Sequence, residues 1–277
     1  MTELRDAFGA RPESGLVNLA GYDPEWTPFV DDKSEAKDDL EDELSGALFD
    51  AHELLFAEAD RSLLLVLQGM DASGKNGTIK HVVSHMNPAG VHTASFTEPT
   101  AEEQSHGFLW RYRKELPAPG QLAVFDRSHY EDVIVPATYG ELDDDELTDR
   151  IDEINDFEEE MTESGVTVVK CMLHISYDEQ RRRFLRRLRR DDKRWKFKAS
   201  DLEARRHWEE FQAAYAWVLG HTTTEAAPWF VIPADHKWYR NWAIAQLLIG
   251  TLESMDLSYP QPDLDLDQLR AQLEPPK

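Results

Sequence analysis

Five short apolar runs punctuate the chain, Leu63 to Leu67, Val91 to Phe96, Leu122 to Phe125, Val166 to Ile175 and Trp229 to Ile232, each closed by turn or polar residues. Between them the spacing becomes helical, at roughly 75–86, 101–115, 143–163 and 236–256. Runs apolar on both faces suit strands covered on both sides, and strands alternating with helices predict a parallel sheet. The expected fold is α/β: a three-layer α/β/α sandwich with a five-stranded parallel sheet and ligands at the C-terminal strand ends.

One insertion breaks the alternation. Two helical patterns, about 177–190 and 200–218, lie between the fourth and fifth runs, and Ser176 with Glu179 has the spacing of a capping box. Arg182, Arg186 and Arg190 recur at intervals of four, Arg183 and Arg187 stand beside them, and Phe184, Leu185 and Leu188 form a narrow apolar seam. Such an insertion predicts a helical lid over the site at about 177–218. Residues 1–60 read as an N-terminal extension and a helix packing on the core. In it an acidic run at 31–43 leads into a stripe of Leu44, Leu48, Ala51, Leu54 and Leu55. Residues 61–256 read as the main domain, and 257–277 as a surface tail with one short helical turn.

With 277 residues, 41% of them hydrophobic, the chain can bury a large core. The N-terminal stretch MTELRDAFGARPESG carries charges where a signal peptide needs an apolar core, and no window approaches the ~18 apolar residues of a membrane span. A cytoplasmic protein with no membrane partner is expected. The only cysteine, Cys171, precludes an internal disulfide and reads as a small core residue.

A formal charge of −24 repels polyanions at long range and speaks against a general nucleic-acid binder. Only 11 of the 30 basic residues are lysine, and an acid-rich, lysine-poor surface suits a salt-rich cytoplasm, because salt screens self-repulsion. A halophilic source is the expectation. Against this background, Arg181 to Lys198 holds 11 basic and 2 acidic residues, a concentrated patch that needs a local reason, with a solvated basic helix face as the alternative.

The chemistry starts at Gly69-Met-Asp-Ala-Ser-Gly74-Lys75, which follows the first apolar run and opens a helix. It has the G-x-x-x-x-G-K form of a phosphate-binding loop (Walker A), with Asn76 where Ser or Thr usually stands and Thr78 as the nearest hydroxyl. Small residues at Gly69, Ser73, Gly74 and Gly77 let backbone N–H groups converge on phosphate, and Lys75 reaches the outer phosphates. Asp126, 52 residues after Gly74 at the end of the third run, sits where a carboxylate organising magnesium is expected, with Arg127 next to it. Asp71, a carboxylate inside a phosphate loop, then implies a cation-rich site. Helix capping by Asp71 or Asp126 is the alternative use of each. Trp195, Phe197 and His129 read as packing residues.

Six separated segments carry a resemblance: LQGMDASGKNGTIKHV, FTEPT at 96–100, FLWRY at 108–112, FDRSHYEDV, KRWKF at 193–197 and PADHKWYRN at 233–241. Together, over about residues 15–256, they resemble the polyphosphate kinase 2 family. The resemblance implies a P-loop kinase-like fold with a helical lid, and magnesium-dependent, reversible transfer of a phosphoryl group between inorganic polyphosphate and a nucleotide. By position it implies catalytic roles for Asp71, Lys75, Asp126, Arg127 and Glu131, with Asp71 and Asp126 holding the metal; manganese is an alternative ion. Glu131 resembles the subgroup that accepts AMP as well as ADP; that subgroup often has Asn at position 126. A Pro-containing turn usual before KRWKF is replaced by Arg190-Asp191-Asp192. The basic patch fits this reading, since a linear polyanion needs a row of cations, here Arg182, Arg183, Arg186, Arg187, Lys193, Arg194 and Lys196. Adenine nucleotides, with guanine nucleotides as an alternative, and a homo-oligomeric state complete the expectation. An ATP-dependent nucleoside monophosphate kinase and a non-catalytic binder of RNA or another polyanion remain as other readings of the same loop and patch.

Overall fold

The computed structural model describes residues 2–261 and 263–273; Met1, Pro262 and residues 274–277, parts of the expected extension and tail, lie outside the described residues. Five strands, β1 (Ser62–Gln68), β2 (Val91–Ser95), β3 (Leu122–Asp126), β4 (Val166–His174) and β5 (Trp229–Pro233), form the expected parallel sheet in the order β2-β3-β1-β4-β5. The central strand β1 is buried along its whole length. Leu63, Leu65 and Leu67 enter one apolar cluster, Leu64 and Val66 the other, as the two-residue period of a strand dictates. The sheet therefore separates two cores. One is covered by α1 (Ser45–Glu58), α2 (Lys75–His81) and the helix Lys237–Ser254, and the other by α3 (Glu131–Tyr139), α4 (Asp144–Glu163) and the helix Trp208–Thr222.

Several elements differ from the periodicity. The pattern at 101–115 resolves into two one-turn helices, Ala101–Gln104 and Trp110–Arg113, separated by Gly107 and its neighbours. The second arm pattern breaks at His207 into Ala199–Arg206 and Trp208–Thr222. The latter buries Phe211, Ala214, Tyr215, Val218 and Leu219 in the core, so it is not lid. The protruding arm is smaller than 177–218: α5 (Tyr177–Arg189), the turn after it, and α6 (Ala199–Arg206), followed by α7 (Trp208–Thr222) and α8 (Lys237–Ser254) within the body. Ser176 caps α5 by accepting the Glu179 N–H at 3.1 Å. The capping box stays half made because the Glu179 carboxylate accepts from Arg183 instead, at 2.8 Å.

Residues 2–60 are part of the body. Asp32 caps a helix that runs through Lys33–Asp38 and a widened π turn, Asp39–Leu44, into α1, burying Leu40, Leu44, Leu48 and Leu55 while Ala51 and Leu54 are half-buried. Phe8, from the helix Thr2–Phe8, is also in the core. Behind it Gly9 bridges Phe230 in antiparallel fashion and the Ala10 N–H donates to Trp229 O at 2.8 Å, covering the outer edge of β5. The tail carries a short exposed helix, Leu266–Leu273. Cys171 is fully buried. Among the described residues, no helix is long and apolar enough to cross a membrane.

Candidate active site

β1 ends at Gln68 and the chain turns through Gly69–Gly74 into α2. Gly69 (φ 135°) and Gly74 (φ 120°) take conformations that disfavour side chains, and a Cβ at Gly69 would approach Leu173 O to 2.7 Å. The loop is therefore glycine-dependent for both torsional and steric reasons. Tyr215 Oη accepts the Gly69 N–H at 3.1 Å. Lys75, the first residue of α2, is buried and folds back to donate to Gly69 O at 2.6 Å. Burial, and then Arg127, push its ammonium below the ordinary lysine range, while Asp71, Asp126 and Glu131 pull the other way. Those four residues are thus gathered around one cation.

Arg127 follows β3 in a left-handed conformation (φ 67°), with its N–H donating to Leu67 O at 3.2 Å. Its guanidinium donates to Asp71 Oδ1 at 2.9 Å and reaches Glu131 at 3.5 Å. Glu131 raises its already high pKa against burial, and Asp71 adds to this. For Asp71, burial acts upward but Lys75 and Arg127 outweigh it, so the carboxyl lies below its usual range. This accounts for an acid inside a phosphate loop: two cations hold it ionised. Asp71 does not cap α2, whose cap position is Gly74, and Asp126 does not cap α3, which begins after Tyr130. Asp126, nearly buried, accepts from the Asn76 amide. Gln68, with its amide turned to donate, reaches Glu131 Oε1 at 3.0 Å and accepts from Ser128. Ser73 and Thr78 each bury a hydroxyl oxygen that has no hydrogen-bond partner among the described residues.

Among the described residues, no three His, Cys, Asp or Glu side chains cluster as a metal cage. Magnesium requires less: one or two carboxylates suffice where phosphates and water complete an octahedron. Asp126 fits that need, because among the described residues its one hydrogen-bond donor is the neutral Asn76 amide. Asp71 fits it less well, since its carboxylate is engaged by Arg127.

The seven cations expected to form a row over the site divide into groups. Arg187 faces the loop: it is one of the charges acting on Asp71 and lies 3.6 Å from Asp201 of α6. Arg182 is exposed and pairs with Glu179 at 3.2 Å, while Arg186 is also exposed. Lys193, Arg194 and Lys196 lie in the turn at the arm's tip, beside Asp192, Asp191 and the Trp195 ring respectively. Arg183 does not belong to the row. It is buried beneath the loop and donates to Ala72 O at 2.9 Å, Ser73 O at 2.7 Å, Asp235 O at 2.9 Å and Ala234 O. An α-helix turns about 100° per residue, so neighbours in an arginine run face different ways. Trp195, expected to pack, is 75% exposed, whereas Phe197 does pack, on Phe184. Of the apolar seam only Phe184 is buried; Leu185 and Leu188 are exposed. His129 packs as expected, in a buried cluster with Glu158, Lys170 and Tyr130.

Sequence reasoning missed Gln68, Asn76, Gln180, Asp201, Tyr215 and Arg240. Gln180 donates to Asp71 O at 3.0 Å and Arg240 to Ser73 O at 3.1 Å, so with Arg183 three successive loop carbonyls are tied from behind. Arg240 lay within PADHKWYRN, a segment quoted for resemblance but given no role. Tyr215 had no distinguishing signal in an ordinary apolar helix.

Comparison with known proteins matches residues 31–260 to the family described as Polyphosphate kinase 2. The chain belongs to this family. Among relatives of this polyphosphate kinase 2 family member is the AMP/ADP-polyphosphate phosphotransferase of Meiothermus ruber, 43% identical over 90% of this chain and 93% of that one. The ADP-polyphosphate phosphotransferase of Rhodopseudomonas palustris is 36% identical over 94% and 96% of the two chains. The crystal structure of Polyphosphate Kinase 2 from Arthrobacter aurescens TC1 superimposes with a TM-score of 0.91 at 44% identity, covering 95% of this chain and 94% of that one.

Proposed function

We propose that the chain moves a phosphoryl group between inorganic polyphosphate and an adenine nucleotide, with AMP and ADP both as acceptors. The observation that carries this is the convergence of Lys75, Arg127 and Arg187 on the Asp71 end of the phosphate loop. Phosphoryl transfer demands mainly positioning and charge neutralisation, and this cluster supplies both. Lys75 and the loop N–H groups would hold the outer phosphate, Arg127 would hold the group in flight, and Arg187 the donor chain beyond it. Glu131 and Asp71 orient Arg127 from two sides. Similarity to a phosphotransferase named for both AMP and ADP supports the double acceptor, as does Glu131 within FDRSHYEDV.

Magnesium, held chiefly by Asp126 with Asp71 beside it, would supply charge neutralisation of the phosphates; manganese has the same oxygen preference. One phosphoanhydride is made for each one broken, so the reaction runs in either direction with concentration. The cytoplasm, where nucleotides and magnesium meet, is the proposed location.

Incubation with AMP or ADP, magnesium, and either long-chain polyphosphate or ATP tests the reading. Polyphosphate-dependent ADP and ATP formation is expected. Transfer to AMP from ATP alone would make the chain a conventional monophosphate kinase, and salt-sensitive RNA binding without turnover would make it a polyanion binder.

A further inference from the structure

Arg240, in the first turn of α8, is 2% exposed and lies directly behind the phosphate loop. A Cβ placed on Gly74 would fall 1.6 Å from its Nη1, and one on Gly77 would fall 2.9 Å from its Nη2. The guanidinium therefore occupies the space that two glycines leave open. Its acceptors are all neutral: Ser73 O at 3.1 Å, and Asn241 Oδ1 at 2.7 Å and 3.2 Å. Among the described residues no carboxylate forms an ion pair with it, in a chain with 54 acidic residues against 30 basic. Its charged neighbours include two further cations, Arg183, which has Glu179 at 2.8 Å, and Lys237 one turn before it.

A buried cation without a counter-ion is unfavourable to a folded chain, and folds normally place a carboxylate beside one. Burial and then Arg183 bring Arg240 down to about 9, which leaves it charged at neutral pH. If filling space behind the glycines were the whole task, a neutral side chain would serve without that cost. The charge has a use only when an anion arrives on the opposite side of the loop, one backbone layer away, where little water intervenes to screen it.

We propose that Arg240 is a buried counter-charge for phosphate bound in the Gly69–Lys75 loop. It acts as a positioning residue, through the backbone and without touching the ligand. Its bond to Ser73 O draws that carbonyl away from the phosphate side, and its charge favours the occupied loop over the empty one. The inference rests on the phosphate-transfer reading above, and its test separates the two.

Two variants divide shape from charge: Arg240→Gln keeps an amide donor for Ser73 O without the charge, and Arg240→Lys keeps the charge. Thermal unfolding of the full chain would be followed with no ligand, with long-chain polyphosphate and with magnesium ATP. Arg240→Gln is expected to melt no lower than the wild type when empty, yet to need at least about tenfold more ligand for the same stabilisation. Arg240→Lys should stay within about threefold of the wild type. Equal ligand response in the two variants overturns the proposal. So does an empty Arg240→Gln chain that melts well below Arg240→Lys or does not fold, because the charge would then be stabilising the empty fold. Failure of both to fold overturns it as well, making the guanidinium a structural keystone. A wild-type chain stabilised by ATP and not by polyphosphate defeats the donor reading alone, and Arg240 is then judged on ATP; a wild type stabilised by neither defeats both.

Discussion

Arg127 Nη2 lies 2.9 Å from Asp71 Oδ1, joining the phosphate loop to the tip of the neighbouring strand across 56 positions of sequence. The pair sets both the charge of the site and the direction in which Arg127 points.

Removing Arg127 should therefore change a pH profile as well as a rate. In Arg127→Gln the burial of Asp71 is opposed by Lys75 and, more weakly, Arg187, so its carboxyl moves up towards the ordinary range. The acid limb of kcat/KM is expected to shift to higher pH, along with a loss of about 10²–10³ in rate. A pH–rate series on the wild type and the variant checks both, and an unmoved acid limb would contradict the coupling.

Arg183 and Arg187 should behave oppositely although they are one helical turn apart. Arg183→Ala removes the guanidinium donor from Ala72 O, Ala234 O and Asp235 O, with Ser73 O still held by Arg240, and is expected to cost about 2–5 kcal/mol of stability. Arg187→Ala should leave the melting temperature nearly unchanged and raise the KM for polyphosphate about tenfold or more. Melting curves beside steady-state kinetics on the two single variants decide it.

The buried cluster of Glu158, Lys170, Tyr130 and His129 is expected to matter for stability alone. Glu158 holds Lys170 and accepts from Tyr130 at 2.6 Å; burial acts upward on its carboxyl, but Lys170 and then His129 outweigh it and keep it below its usual range. Lys170→Met strands that carboxylate and should cost about 3–5 kcal/mol. Because the folded pKa lies below the unfolded one, the contribution of Glu158 is present above about pH 4.3 and is lost as pH falls through the folded value. Denaturant titrations of the wild type and Glu158→Gln between pH 7 and pH 3 should converge at the acid end.

The net charge of −24 makes a prediction about solvent. The screening length falls from about 30 Å at 0.01 M salt to about 3 Å at 1 M, so self-repulsion is strongest in dilute buffer. The melting temperature is expected to rise steadily with potassium chloride. Full stability in dilute buffer would remove the halophilic reading.

The strand ends were legible because an apolar run, a glycine turn and a lysine constrain one another locally. The same holds for β3 and Asp126–Arg127, and the parallel register then places Leu67 beside Asp126 with no further information. The arm was legible only as composition. Eleven cations in eighteen residues announce an anion, but which of them meet it depends on helix phase and on where α5 leaves the body. Arg183 and Arg187 look alike in sequence and differ in burial, 4% against about a quarter of the side chain exposed. Arg240 was hidden for another reason: its partners are backbone carbonyls and glycines, which carry no side-chain signature. The extent of the lid was overdrawn because helical spacing does not say which helix is covered, and Trp208–Thr222 is covered by α3, α4 and the N-terminal hairpin of Pro12–Glu13 and Leu16–Val17.

The antiparallel contact of Gly9 with Phe230 has a practical consequence for anyone handling the protein. β5 is the last strand of the sheet, fully buried, and its run Trp229–Ile232, closed by Pro233, is uncharged and strand-forming, so a bare edge there would invite pairing with another chain. Gly9 and Ala10, behind the helix Thr2–Phe8, act as its sheath. Trimming them, or fusing a partner tightly against Thr2–Phe8, would leave an adhesive border free, and clumping during expression would then reflect a missing cover and not a faulty catalytic centre.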